Sequence, residues 1–282
     1  MVTFSAFADE IGPDLKLQMD TCEANGVRCI DVRSIGGRNV SVMTLDEARE
    51  YSRRLADRGF TVPCIGSPVG KIRISDDFEA HLEMLKHCCD LARAFNTRLV
   101  RVFSFYPSEG AKIKDQRAEV MDRMAGMVEA AEAADCVLLH ENERDIYGAK
   151  PEGIKDLFVT VKSNHLGGIF DPANFICEGV APFDDAWSKG LAELTDYFHI
   201  KDMVPGAQTC VPAGQGAGQF DEIFADLKAG GWSGCMTLEP HMKAAGQFSG
   251  HTGPELFAKA VGGLKAVCEK AGIEYMMFES NL

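Results

Sequence analysis

VLLHENE (137–143), GGIFDPANF (167–175), YFHIKD (197–202) and MTLEPH (236–241) decide the fold of this 282-residue chain. Each is a short apolar run ending on an acidic or imidazole residue, namely Glu141, Asp171, His199 and Glu239. The intervals of 28 to 40 residues between them are close to the ~31 residues that one strand-plus-helix unit occupies in a (β/α)8 barrel. Strand ends of such a barrel face one mouth, so the four side chains are expected to meet there. Three carboxylates and one imidazole form a ligand set for a single divalent ion, Mn²⁺ first, with Mg²⁺, Co²⁺ and Zn²⁺ also compatible. Without a cation, three carboxylates crowded into low dielectric would force protonation.

The rest of the chain keeps the same alternation. Strand candidates are TFSAFA, VRCIDVR, FTVPCIG and RLVRVFSF, then the four runs above, mostly continuous apolar stretches as in parallel strands buried on both faces. Amphipathic helices are expected at 13–25, 45–58, 77–95, 112–134, 152–163, 184–193, 220–229 and 254–271, with a looser insertion near 203–219. Pro13 is placed at a first helical position, and Gly26, Gly59 and Gly272 at left-handed helix ends. No Pro/Ser-rich linker interrupts the pattern, which predicts an α/β chain folded as one (β/α)8 domain over 1–282. A doubly wound open sheet would carry a glycine-rich phosphate loop after its first strand. Here that turn reads ADEIGPD (8–14).

Composition narrows the function. A net charge of -13 argues against a nucleic-acid partner or an anionic membrane. Ten scattered cysteines, with no C-x-x-C pair, suit a reducing cytoplasm. No stretch reaches the ~18 apolar residues of a membrane span. The expected partner is a small sugar. Substrate-binding candidates at the strand ends are Arg33, Ser67, Lys71, Asn174, Asp202 and His241, an acidic, basic and amide lining that matches a polyhydroxylated ligand. His140 alternates to the side opposite Glu141, while Asn142 and Glu143 are expected beside or behind the ligands.

At HENERDIYG, IFDPANF, FHIKD and LEPH the chain resembles the sugar phosphate isomerase/epimerase family of xylose isomerase-like TIM barrels, over nearly its whole length. The resemblance implies that Glu141, Asp171, His199 and Glu239 bind the metal, and that Glu141 and Glu239 also serve as a catalytic acid/base pair. SPVGKI, HENERDIYG and DPANF are most similar to the branch holding 3-keto-glycoside epimerases and catalytic subunits of C-glycoside deglycosidases. Asn174 stands where ketose 3-epimerases carry a histidine, and Asp31 where relatives often carry glutamate.

The expected activity is metal-dependent isomerisation or epimerisation of a keto sugar or keto-glycoside, by proton transfer through a metal-stabilised enediolate. The alternative is a C-glycoside deglycosidase subunit working by β-elimination. A non-catalytic sugar-binding barrel is a remote third reading. Assembly is expected as a homo-oligomer, or with a small partner subunit under the deglycosidase reading.

Overall fold

Eight parallel strands follow one another round the molecule in chain order, in a computed structural model that describes residues 1–245 and 250–276. They are β1 (Val2–Ala6), β2 (Cys29–Ile30), β3 (Cys64–Ile65), β4 (Leu99–Val102), β5 (Val137–Glu141), β6 (Leu166–Phe170), β7 (Tyr197–Ile200) and β8 (Cys235–Leu238). Ladders run without a break from β3 to β8, then to β1 and on to β2. Bridges Cys29–Thr61 and Val32–Ile65 join β2 to β3 and complete the ring. The architecture is the expected TIM barrel in one domain. A short strand, Tyr275–Met276, pairs in parallel with the start of β1.

Helices α1 (Leu15–Ala24), α2 (Leu45–Ala56), α3 (Phe78–Ala94), α4 (Arg117–Ala133), α5 (Pro151–Thr160), α6 (Pro172–Cys177), α7 (Phe220–Ala229) and α8 (Pro254–Ala271) connect the strands. Their starts follow local chemistry. Asp14, Thr44 and Asp77 each accept a backbone N–H in the first turn, and Thr44 with Glu47 forms a capping box. Asp14 as N-cap leaves Pro13 just outside α1, not inside it as the sequence suggests. Gly26, Gly59 and Gly272 adopt φ of 76°, 73° and 68°, the left-handed turns read from the sequence.

The sixth connection differs most from expectation. The segment 184–193 is not an α-helix but a π-turn at Pro182–Ala186 and two short 3-10 turns, cut by Gly190 at φ 101°. Trp187 anchors it, donating from Nε1 to Asp226 at 2.7 Å and packing on Phe170 and Phe198. The helix of this unit is instead the short α6, capped by Asp171.

Alternation along the strands sorts the side chains. Outward residues such as Leu138, Phe170, Phe198, Ile200 and Leu238 pack in the main hydrophobic core beneath the helices. Inward residues stack up the barrel axis: Tyr197 below His199, Thr237 below Glu239, and Leu139 below Glu141. At mid-height the lining is polar. Asp31 accepts hydrogen bonds from Ser5 Oγ, Tyr197 Oη and Thr237 Oγ1 at 2.7 to 3.0 Å, so it is part of the barrel interior and spoken for there. The ten cysteines are all free thiols, and no helix among the described residues is long and apolar enough to cross a membrane.

Candidate metal centre

Four successive strands deliver the four expected ligands to one point. Glu141 closes β5, Asp171 follows β6 as the cap of α6, His199 lies in β7, and Glu239 follows β8. One ligand atom from each lies within 4.8 Å of every other, and all four residues are buried. His199 Nδ1 stands 3.0 Å from Glu141 Oε1 and 3.6 Å from Glu239 Oε2. Among the described residues neither nitrogen of His199 makes a hydrogen bond, although both are shut off from solvent. Lys201 Nζ lies 2.7 Å from Asp171 Oδ2 and 3.1 Å from Glu239 Oε2, but the first contact is not aligned as a hydrogen bond.

These residues fit a divalent cation on two independent grounds. A buried imidazole and a buried carboxylate oxygen without hydrogen-bond partners are costly, and both point into an oxygen- and nitrogen-rich cluster. Charge gives the second ground. Ion pairs link six largely buried carboxylates (Asp9, Glu10, Glu141, Glu143, Asp171, Glu239) to four buried cations (Arg33, Lys71, Arg101, Lys201). Within this network of described residues, and with neutral imidazoles, carboxylates outnumber cations by two, an excess that a divalent ion would offset. Burial pushes the Asp171 carboxyl up to about 7, Glu141 and Glu239 add to the rise, and Lys201 opposes it. Burial also opposes ionisation of Glu141, yet His199 and Arg101 outweigh it and hold this carboxyl down at about 2. Glu239 is likewise held well below the usual range, burial being overcome by Lys201, His241 and His199.

Both glutamates carry a guanidinium on the oxygen turned away from the cluster. Arg101, on β4, reaches Glu141 Oε2 at 3.1 Å and is fixed by the carbonyls of Gly66 and Ser67. Arg33, just beyond β2, reaches Glu239 Oε1 at 2.8 Å and Asp9 at 2.9 Å. The two arginines lie over one ring, Phe7, at 4.5 and 4.8 Å from its centre, and Phe7 meets His199 edge-on.

The other expected residues divide into two sets. Asn174 donates to the Asn142 carbonyl at 2.8 Å and approaches Glu141 Oε1 at 3.4 Å. Asn142 in turn clasps the Asp171 backbone through both its amide groups. His241 Nε2 lies 3.4 Å from Glu239 Oε1. Lys71 pairs with Glu143 at 2.8 Å and lies over the Phe103 ring.

Ser67 and Asp202 do not face the cluster. Ser67 donates to the Arg101 carbonyl and accepts from Val69 N, so it ties the β3–α3 loop to β4. The Asp202 carboxylate accepts four backbone N–H groups, from Met203, Gly214, Gly216 and Gly218, at 2.8 to 2.9 Å. A ligand or substrate hydroxyl would have to displace one of them. The expected substrate role gives way to a structural one: Asp202 gathers the Met203–Gln219 loop. The turn GQGAG (214–218) wraps this carboxylate so closely that a Cβ at Gly216 would lie 2.3 Å from its Oδ1. His140 lies behind the barrel as expected, bonded to Ser104 Oγ at 2.9 Å.

Arg101, Glu10 and the loop 203–210 complete the mouth. The sequence places Glu10 just after the first strand and Arg101 inside the apolar run of β4, both as polar groups at the strand ends, and the loop is its loose insertion after β7. A cavity of about 210 Å³ adjoins the cluster, lined by Asn174, Cys177, Lys201, Met203, Thr209 and His241 among others. A second, about 470 Å³, is lined by Lys71, Ile72, Arg73, Tyr106 and Asp145. The Lys71–Glu143 pair stands between the two, because Glu143 lines the first and Lys71 the second.

No curated protein matches the chain by sequence. Solved structures share its fold at low identity. A probable 3-DHS dehydratase of petrobactin synthesis from Bacillus anthracis superposes with a TM-score of 0.74 at 17% identity, covering 94% of this chain and 99% of its own. The IOLI protein, solved with a zinc atom, gives 0.73 at 17% identity over 96% and 98%. An L-ribulose 3-epimerase gives 0.72 at 16% identity over 96% and 95%. Residues 19–267 match the family model described as xylose isomerase-like TIM barrel, and the chain belongs to that family.

Proposed function

We propose that this chain is a divalent-metal-dependent isomerase or epimerase that acts on a keto sugar or keto-glycoside by proton transfer at the carbon beside the carbonyl. The observation that carries this reading is the disposition of Glu141 and Glu239. They come from strands separated by β6 and β7, and each turns one oxygen to the common cluster while a guanidinium holds the other. Glu141, Asp171, His199 and Glu239 would hold the ion, which when bound polarises a carbonyl and stabilises the charge that develops on its oxygen.

Within that arrangement one glutamate removes the proton and the other returns one. The arginines fix both carboxylates so that neither swings away, while His199 with Arg101 keeps Glu141 ionised and Lys201 with His241 and His199 keeps Glu239 ionised. Asn174 and Asn142 hold Glu141 and Asp171 in register from behind. Lys201 and His241, which line the adjoining cavity, offer donors to sugar hydroxyls. The named activity of the L-ribulose 3-epimerase and of a D-psicose 3-epimerase with the same fold is in keeping with this chemistry.

Two features favour a neutral substrate. In the ion-pair network of the mouth each buried cation already faces a carboxylate, and a divalent ion would offset the remaining excess of negative charge, so no spare positive charge is offered to a phosphate. The glycine-rich turn before α7, where phosphate-binding barrels often cradle their ligand, is filled by the chain's own Asp202. The second cavity favours a substrate with a bulky substituent, and hence the elimination reading for a keto C-glycoside, which begins with the same proton abstraction.

The test is deuterium wash-in from D2O over a panel of keto sugars and keto-glycosides with Mn²⁺, on wild type, Glu141→Gln and Glu239→Gln. Glutamine keeps an oxygen ligand but cannot take the proton, so exchange should vanish in both variants while metal is retained in part. Wild-type exchange in either variant would remove that glutamate from the acid/base pair. Release of a free aglycone without epimerised sugar would select elimination.

A further inference from the structure

Glu239 has two faces. Its Oε2 turns to the cluster described above, while its Oε1 turns to a second group of donors that includes Glu10 and His241. In that group one ligand atom each from Glu10, Glu239 and His241 again lies within 4.8 Å of the others, and all three residues are buried. His241 Nε2 is 3.2 Å from Glu10 Oε1 and 3.4 Å from Glu239 Oε1, with no hydrogen-bond partner among the described residues, on a side chain 91% removed from solvent. Asp9 Oδ1 is a further buried oxygen without a hydrogen-bond partner among the described residues. The ring is aimed there by its backbone: His241 adopts φ 43°, and only a glycine at 250 leaves room, since a Cβ there would lie 1.8 Å from the ring. Glu10 is fixed in turn, its Oε2 accepting His241 N at 2.8 Å and Thr252 Oγ1 at 2.6 Å.

Two carboxylates and an imidazole, with a third carboxylate close by, make a second ligand set of the same chemistry as the first. Arg33 already supplies a cation to it. Its guanidinium contacts Asp9 at 2.9 Å, Glu239 at 2.8 Å and Glu10 at 3.5 Å, and Phe7 covers its face. We infer that Arg33 is the resident cation of a second metal-type site, one that shares Glu239 with the first and takes a divalent ion when the guanidinium is removed. The native protein therefore holds one exchangeable ion and one fixed positive charge on opposite oxygens of the same glutamate. Removing Arg33 alone would leave Asp9, Glu10 and Glu239 buried without their guanidinium, and a divalent ion is the replacement the donors are arranged to accept.

The inference rests on the first site's being a metal site, and one experiment separates the two. Bound Mn²⁺ is counted by elemental analysis and titration calorimetry in wild type, Arg33→Lys, Arg33→Met and the double variant Arg33→Met/Glu10→Gln, with circular dichroism to monitor folding. One ion per chain is expected for wild type and for the lysine variant, two for Arg33→Met, and one again for the double variant. No ion in wild type would sink the metal reading itself. Two ions in wild type, or one ion in a folded Arg33→Met chain, would overturn only the role given to Arg33. An Arg33→Met chain that stays unfolded in millimolar Mn²⁺ would overturn it as well, because the ion would then have failed to replace the guanidinium.

Discussion

Two arcs of the barrel contribute opposite charges to one mouth, with Asp9 and Glu10 after β1 standing on the acidic side of the balance. From β5 to β8 come the imidazole and the carboxylates of the candidate metal cluster, with Lys201 as the exception; from the end of β2 to β4 come Arg33, Lys71 and Arg101. The acidic half sets what can bind. The basic half sets which carboxylate oxygens are left to bind it, since Arg33 takes Oε1 of Glu239 and Arg101 takes Oε2 of Glu141. A ligand set is thus defined as much by the groups that occupy its unused oxygens as by the ligands themselves.

Asp171→Ala attacks the acidic half at its centre and should have the largest effect. It deletes an anionic ligand and also the cap of α6. Metal affinity should fall by more than the ~10–100-fold that losing a supporting contact costs, and turnover with it. Calorimetric titration with Mn²⁺ checks this, and an unchanged affinity would show that the acidic half is not the metal site.

Arg101→Met attacks the basic half. It leaves Glu141 buried with its Oε2 unpaired, and breaking such a pair from one side costs about 3–5 kcal/mol. Urea denaturation measures it. A loss below about 1 kcal/mol would mean that the basic half merely surrounds the site and does not organise it.

A smaller effect is expected from pH. His81 Nε2 accepts the N–H of Gly70 at 2.6 Å and so holds the β3–α3 loop that presents Lys71. Burial, helped by Arg123, lowers this imidazole from 6.5 to about 4. The unfolded chain takes up the proton first, so the stabilisation is complete above pH 6.5 and is lost as pH falls toward about 4. The loss should be about 1–2 kcal/mol, below the full linkage value because the ring is not wholly withdrawn from water, and His81→Gln should flatten the profile. A profile identical in wild type and variant would detach His81 from the loop.

The smallest difference concerns charge on the substrate. A neutral keto sugar should be used better than its phosphate ester. A preference of tenfold or more for the phosphate, about 1.4 kcal/mol, would show that the basic half is an anion site and not a set of partners for the acidic half.

The acidic half was legible in the sequence because its residues end parallel strands, where period-two alternation and the strand-plus-helix interval fix both face and height. The basic half was less so. Arg33 and Lys71 could be placed at the mouth, but whether a long cation meets substrate or carboxylate depends on contacts between strands far apart in the chain, such as Arg33 with Glu239. Ser67 and Asp202 have the same residue types and strand-end positions as true lining groups, and only the backbone around them shows that they are committed elsewhere. The missing helix at 184–193 was hidden for a related reason, since a buried tryptophan and a left-handed glycine govern that segment more than its apolar spacing does.

The carboxylate of Asp202 fastens both ends of a long excursion of chain to the rim: Met203 where it leaves β7, and the glycines at 214, 216 and 218 where it returns to α7. Between those fastenings lie Ala207, Gln208 and Thr209, which line the cavity beside the ligands. Substitutions or insertions there leave the anchors, the barrel and the ligands untouched, and a change of loop length costs little closure entropy. Selection can therefore rewrite what this mouth recognises in that short stretch without renegotiating the stability of the barrel. The sequences of its descendants should diverge at 204–209 sooner than at the aspartate that makes such divergence harmless.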